Sequence, residues 1–324
     1  MKRHWRTLSC LIGAGGLLVA ALALSTGSAA AATAQSGGTF TCTGTIDSPG
    51  ILVGTHTNVV IHGACVVNAG PATVNGNLVI APGAALTAIW ALNDQTGTGN
   101  SDLTVRGNLT VQNGASLMLG CYSKLITVWG ATHLITVPDF PCADDPNPGA
   151  PTLSTHDVVD GNLVADNPLG VVTHQLTVRG NVVQNGGGAG TGCAPVGIFN
   201  KYFGLPDYTT YTNVTIGGNL QLTGLSTCWF GIIRDTVQGN VTDTNNLSIP
   251  DANEVITNVV FGNLSCSGNS PAMELGDSNG QPNQVGGNAT GECGFDVILP
   301  NPAPDVGVSV QPTFQPASVP LHHK

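Results

Sequence analysis

The chain has 324 residues, of which 9% are charged, well below the roughly 25% of ordinary soluble domains, while glycine alone occurs 44 times. Its formal net charge of −10 at pH 7 argues against nucleic acid or an anionic membrane surface as a partner. Low charge combined with abundant Gly, Asn, Thr and Val suits tight turns between β-rich segments.

Residues 1–34 read as a secretory signal peptide. Lys2, Arg3 and Arg6 precede an apolar run from Leu11 to Leu24, and a small-residue zone follows from Ala29 to Ala34. Glycines interrupt the run, which is short for a membrane span of about 20 residues, so cleavage near Ala32 or Ala34 is expected rather than a retained helix. Cys10 lies before the apolar run, where a lipid-anchored cysteine would lie after it. Cleavage leaves 6 Lys and Arg against 19 Asp and Glu, a formal charge of −13, on a secreted or cell-surface protein with no membrane association.

From residue 35 to 298 one phrase recurs. It appears as VNGNLVI from Val74, VRGNLTV from Val105, VDGNLVA from Val159, VRGNVVQ from Val178, IGGNLQL from Ile216, VQGNVTD from Val237, VFGNLSC from Val260 and VGGNATG from Val285. An apolar residue stands two before each of these glycines, the position between is unrestrained, and in seven of the eight copies Leu or Val follows the Asn. Successive glycines are 31, 54, 19, 38, 21, 23 and 25 residues apart, and the two longest steps are close to double an ordinary one. A phosphate-binding loop is excluded, because the lysine and the helix that such a loop opens into are missing.

Self-similarity at this period, without a helical repeat, predicts an all-β parallel β-helix of about 8–10 coils. Each coil lies ~4.8 Å from the last, and inward Val and Leu form a continuous core. The glycine is expected to supply unusual corner angles. Asn77, Asn108, Asn162, Asn181, Asn219, Asn240, Asn263 and Asn288 are expected to turn inward and form a hydrogen-bonded ladder.

The phrases GNLTVQNGASL and VNGNLVIAPGAAL resemble those of uncharacterised secreted β-helix repeat proteins from high-GC Gram-positive (actinobacterial-type) bacteria, and more distantly adhesin passenger domains. The resemblance spans about residues 58 to 295 and rests on short motifs. It implies a fold and a compartment. β-Helices serve variously as polysaccharide lyases and hydrolases, adhesins and inert scaffolds, so it implies no activity.

Eight cysteines follow the signal peptide, an even count expected to form disulfides in an exported chain. Pairing neighbours gives Cys42–Cys65, Cys121–Cys142, Cys193–Cys228 and Cys266–Cys293, with separations of 23, 21, 35 and 27 residues, three of them about one coil. No CxxC or close Cys-His pair occurs, so no metal site is expected. Two insertions interrupt the stack, near 120–151 and near 185–213, and residues 299–324 form a Pro-rich tail. The second insertion and the segment beyond its cysteine partner carry the candidate ligand-binding aromatics Tyr202, Phe203, Tyr208, Tyr211, Trp229 and Phe230. Flat rings there suit stacking on sugars, against the alternative that they pack on the coil.

Catalysis has weak candidates only. A β-helix lyase needs acids that hold Ca²⁺ and a nearby base, and the closest match is Asp157, Asp160 and Asp166 with Arg179, although Asp160 and Arg179 also suit an ordinary surface ion pair. Asp144 and Asp145 are a second, weak calcium candidate, and otherwise no cofactor is expected. The acids are too scattered to nominate a hydrolase pair, and the histidines fall at unrelated phases of the repeat. The expectation is a secreted, non-catalytic solenoid with a structural, adhesive or carbohydrate-binding role, its partner a cell-wall or extracellular polysaccharide. A β-helix polysaccharide lyase or hydrolase, and a scaffold self-associating through its coil ends, are the alternatives.

Overall fold

The computed structural model describes residues 38–89, 93, 96, 99–121, 125–128, 131–134, 157–203, 206–275, 281–295 and 297–298. Contacts divide the chain into Met1–Ala32, which lies outside the described residues, and Thr33–Lys324, which holds everything below. The expected signal peptide and the Pro-rich tail also fall outside the described residues.

Three long sheets, every one of them parallel, wind around a common core. Sheet A has ten strands, from Thr39–Cys42 to Ala289–Gly291. Sheet B has eight, from Gly50–Ile51 to Asn253–Ile256. Sheet C has ten, from Gly54–His56 to Val297–Ile298. The chain visits A, B and C in turn, so each strand pairs with its equivalent one coil earlier and one coil later. This is a parallel β-helix.

The repeated phrase marks the corner from sheet C to sheet A. Its first apolar residue belongs to an inward rank of sheet C, Val74, Val105, Val159, Val178, Ile216, Val237, Val260 and Val285, stacked in register. The residue after the Asn belongs to the inward rank of sheet A, where Leu78, Leu109, Leu163, Val182, Leu220, Val241 and Leu264 stand one above another. All are 0–1% exposed. Period-two alternation then leaves the intervening side chains of sheets A and C facing solvent. Sheet B differs, for its strands Ser116–Gly120, Phe230–Ile233 and Asn253–Ile256 are buried at every position.

The asparagines do form a ladder, but on the outside of the corner. Asn77, Asn108, Asn219, Asn240, Asn263 and Asn288 are exposed, and Asn162 and Asn181 half-buried. From Asn77 to Asn263 each accepts at Oδ1 the backbone N–H of the Asn one coil later, the last donor being Asn288, at 2.8–2.9 Å in every rung. The ladder begins one coil earlier than the Gly-Asn phrase, since Asn77 N–H donates to Asn58 Oδ1 at 2.9 Å. The side chain turns outward because the donor it serves is a corner N–H that lies outside the sheet ladders.

The glycines of the phrase also act differently from expectation. None has positive φ; the left-handed corner positions belong to the other two turns, from A to B, where Asn167, Gly186, Gly224, Asn245 and Gly268 have φ of 49, 64, 69, 57 and 69°, and from B to C, where Gln175, Asn213, Arg234 and Thr257 have φ of 57, 55, 57 and 60°. A Cβ on Gly76, Gly107, Gly161, Gly180, Gly218, Gly239, Gly262 or Gly287 would lie 2.2–2.6 Å from the Asn Oδ1 of the coil before. These residues are glycine because an asparagine stands beneath them. Thr57, one coil before Gly76, keeps its side chain because Asn58 stands over Thr39 rather than over another Asn.

Cys42–Cys65, Cys193–Cys228 and Cys266–Cys293 are disulfide-bonded, with Cα separations of 6.4, 5.0 and 5.3 Å, as an oxidising compartment permits. The first and last are buried near the two ends of the core. Cys121 is also disulfide-bonded, and its expected partner Cys142 lies outside the described residues. In the first insertion the backbone forms an antiparallel hairpin, Leu125–Val128 with Ala131–Leu134. The second carries a helix, α1 (Gly197–Phe203), and it ends by Tyr208, because Thr209–Thr212 is already a strand of sheet B.

Gly239→Ala should destabilise the fold by about 2 kcal/mol or more in denaturant unfolding, since its Cβ meets both the Asn219 amide and the Gly218 carbonyl. Gly192→Ala, with nothing within 4 Å, should fall within about 0.5 kcal/mol of the parent. Equal effects at the two positions would refute the steric account of the repeat.

Candidate functional site

Two more ladders run along the other corners, and they absorb several of the acids. At the corner from B to C an inward stack of Leu103, Asp157, Leu176, Val214, Asp235, Asn258 and Asn283 is at most 3% exposed. Leu103 N–H donates to Asp157 Oδ1 at 2.7 Å, Val214 N–H to Asp235 Oδ1 at 2.7 Å, Asp235 N–H to Asn258 Oδ1 at 2.8 Å and Asn258 N–H to Asn283 Oδ1 at 2.9 Å. At the corner from A to B, Leu225 N–H donates to Asn246, Asn246 N–H to Asn269, and Asn269 N–H to Glu292.

The three acids expected on one catalytic face therefore separate, and Arg179 stays with Asp160 alone. Asp157 is 3% exposed and faces the interior, where its second oxygen accepts the Gly120 N–H at 2.9 Å. Asp160 stands at the C to A corner between two arginines, 3.3 Å from Arg179 and 3.8 Å from Arg106. Both guanidinium groups are more than half exposed, so these pairs contribute little to stability. Asp166 is exposed at the end of a sheet A strand. Among the described residues no three His, Cys, Asp or Glu side chains gather as a metal group, and Asp144 and Asp145 lie outside them.

The aromatic candidates divide by strand alternation. Tyr211 and Phe230 are fully buried in the core, a correction to their place among the surface rings. Tyr211 Oη donates to Gln184 Oε1 at 3.0 Å, so even its polar tip belongs to the interior. Tyr208 and Trp229 face outward from sheet B and are half-buried, their ring centroids 5.6 Å apart at 64°. Phe199 of α1 meets Tyr208 edge-on at 5.4 Å. Tyr202 and Phe203 lie on α1, and their side chains are outside the described residues.

Sequence reasoning missed the polar groups beside this ledge. Trp229 Nε1 donates to Glu254 Oε1 at 3.1 Å, and Glu254, fully buried on the outward rank, pairs across the coil with Glu274. Further along the corner, Arg234 Nε donates to Asn213 Oδ1 at 2.9 Å, and Asn213 lies 3.2 Å from His174 Nε2. His174, Asn213 and Arg234 come from three successive coils and Glu254 and Glu274 from the next two, so no local pattern announces them.

Burial raises the buried aspartates. The carboxyls of Asp157 and Asp235 are held well above the usual range, chiefly by desolvation, and backbone hydrogen bonds offset this only in part. Asp243, on the inward rank of sheet A, is pushed up to about 8 by burial and by nearby Glu292, against the hydrogen bonds from Asn246 and Asn269. Desolvation brings Asp207 to about 7. The chain matches no family model, no curated protein and no solved structure in comparisons with known proteins.

A carboxyl whose folded pKa lies above its unfolded value binds its proton more tightly when folded. Its contribution to stability is complete below the ordinary carboxylate range and is lost as pH rises towards about 8. The melting temperature should thus be higher at about pH 5 than at about pH 9. Asp235→Asn should reduce that difference, since asparagine occupies the same corner in the next two coils and can still accept the Val214 N–H. A parent protein more stable at the alkaline end would contradict this.

Proposed function

We propose that the protein is an exported, disulfide-stapled solenoid that acts at or outside the cell surface as a non-catalytic structural and adhesive element and holds neutral polysaccharide on the ledge of Tyr208 and Trp229. The observation that carries this reading is the pair of half-buried rings, one coil apart on the outer face of sheet B, with the indole N–H fixed by Glu254. A ring held in one orientation presents an apolar face to the C–H face of a sugar without losing rotamer freedom on binding. The three disulfides among the described residues and the low charge support an extracellular setting. The non-catalytic part rests on the separation of the three acids, of which Asp157 serves the backbone, Asp160 forms a surface ion pair with Arg179 and Asp166 stands exposed at a strand end.

The purified protein, incubated with insoluble plant and microbial polysaccharides, should be retained on at least one neutral polymer without releasing soluble oligosaccharides. Trp229→Ala and Tyr208→Ala should each weaken retention roughly tenfold with unchanged β-sheet circular dichroism. Released oligosaccharides would overturn the non-catalytic reading. Retention indifferent to both substitutions would overturn the ledge.

A further inference from the structure

Much of the outer side of sheet B is covered, and part of the cover is a short helix attached at each end. Thr87 and Met118, outward neighbours in adjacent coils, are both 0% exposed. α1 crosses this face. A Cβ on Gly170 would come within 2.8 Å of the Phe199 ring, and Phe199 itself is 0% exposed. At the outer side of α1, Lys201 Nζ reaches Asp47 Oδ1 at 3.2 Å, in the loop that leads into the first strand of sheet B. The Cys193–Cys228 disulfide ties the entrance of the helix to the coil of Trp229.

The exit of the helix carries a buried acid. Asp207 is 1% exposed, and among the described residues neither of its carboxylate oxygens has a hydrogen-bond partner. The N–H groups of Val196 and of Asp207 itself lie near enough to ease its burial without closing a bond. Among the described side chains, the titratable and charged groups on the surrounding elements are Lys201 on α1, held by Asp47; Tyr208 next in the chain and Tyr211 on the strand that follows, whose phenols burial keeps neutral; and His174 and Glu254 on sheet B, beside Asn213 and Trp229 respectively. Asp207 therefore has no cation of its own among the described residues, and its charged form is strongly disfavoured while the helix is down.

We propose that α1 is a proton-latched strap: with Asp207 neutral it lies closed over the outer face of sheet B, and ionisation of Asp207 releases it while the Cys193–Cys228 disulfide keeps it attached. Release uncovers the outer face at Gly170 and frees the edge of Tyr208 now pressed against Phe199. That the strap thereby regulates polysaccharide binding rests on the ledge reading above; the latch itself does not. The direction follows from the shift: closure is favoured below the ordinary carboxylate range and weakens as pH rises through about 7.

Hydrogen exchange followed by mass spectrometry on the intact, ligand-free protein tests the latch. After correction for the intrinsic pH dependence of exchange, protection of α1 should fall roughly tenfold or more between about pH 5 and about pH 9. The sheet A strand Leu220–Thr223 should stay protected across that range. Asp207→Asn and Asp207→Ala should each keep α1 protected at both ends. Protection of α1 independent of pH in the parent, or the same loss in both neutral variants, would overturn the proposal. Should both variants lose protection in Leu220–Thr223 as well, the parent profile alone decides it. No polysaccharide enters the experiment, so a failure of the ledge reading leaves this outcome distinct.

Discussion

A chain that turns three corners in every coil must find partners there for N–H groups that the sheets leave unpaired, and here side-chain carbonyls of the neighbouring coil supply them. Along the C to A corner each Asn from Asn58 to Asn263 serves the coil after it. Along the other two corners Asp, Asn or Glu serves the coil before it. The hydrogen bonds therefore run in opposite senses on different edges of the same stack. An unsatisfied buried N–H costs roughly 1–3 kcal/mol, so a repeating deficit along the two inner corners would leave no stable solenoid.

Much else follows from that requirement. The outer ladder forces glycine into the next coil, because its Oδ1 occupies the space of a Cβ. The inner ladders bring carboxyls into the core, where they hold protons at pH values at which ordinary aspartates are ionised. An aspartate and an asparagine become near equivalents at such positions, as Asp235, Asn258 and Asn283 show in consecutive coils. Acids that read as a cation site in one dimension are partly corner supports in three.

The fold was legible because the C to A corner repeats its chemistry in one short phrase. Val, Gly, Asn and Leu have separate duties there, namely an inward rank, clearance, a backbone acceptor and a second inward rank. Asn58 escaped notice because Thr57 precedes it, and Thr57 is allowed because no Asn lies below. The inner ladders were illegible, since Leu, Asp, Val and Asn alternate at one position and share no pattern. Of the aromatics, Trp229 and Phe230 are sequence neighbours in extended chain and so point to opposite faces. That division could have been read from period-two alternation. The Trp229 to Glu254 contact could not, because it joins residues one coil apart with no local signature.

Residue-resolved hydrogen exchange on Asn181→Ala tests the ladder most directly, because its bonds have a direction. Asn219 N–H donates to Asn181, whereas Asn181 N–H donates to Asn162. The account predicts that the variant loses protection at the Asn219 amide and keeps it at residue 181. Protection retained at both amides, or lost equally at both, would contradict the claim that side chains of one coil hold up the backbone of the next.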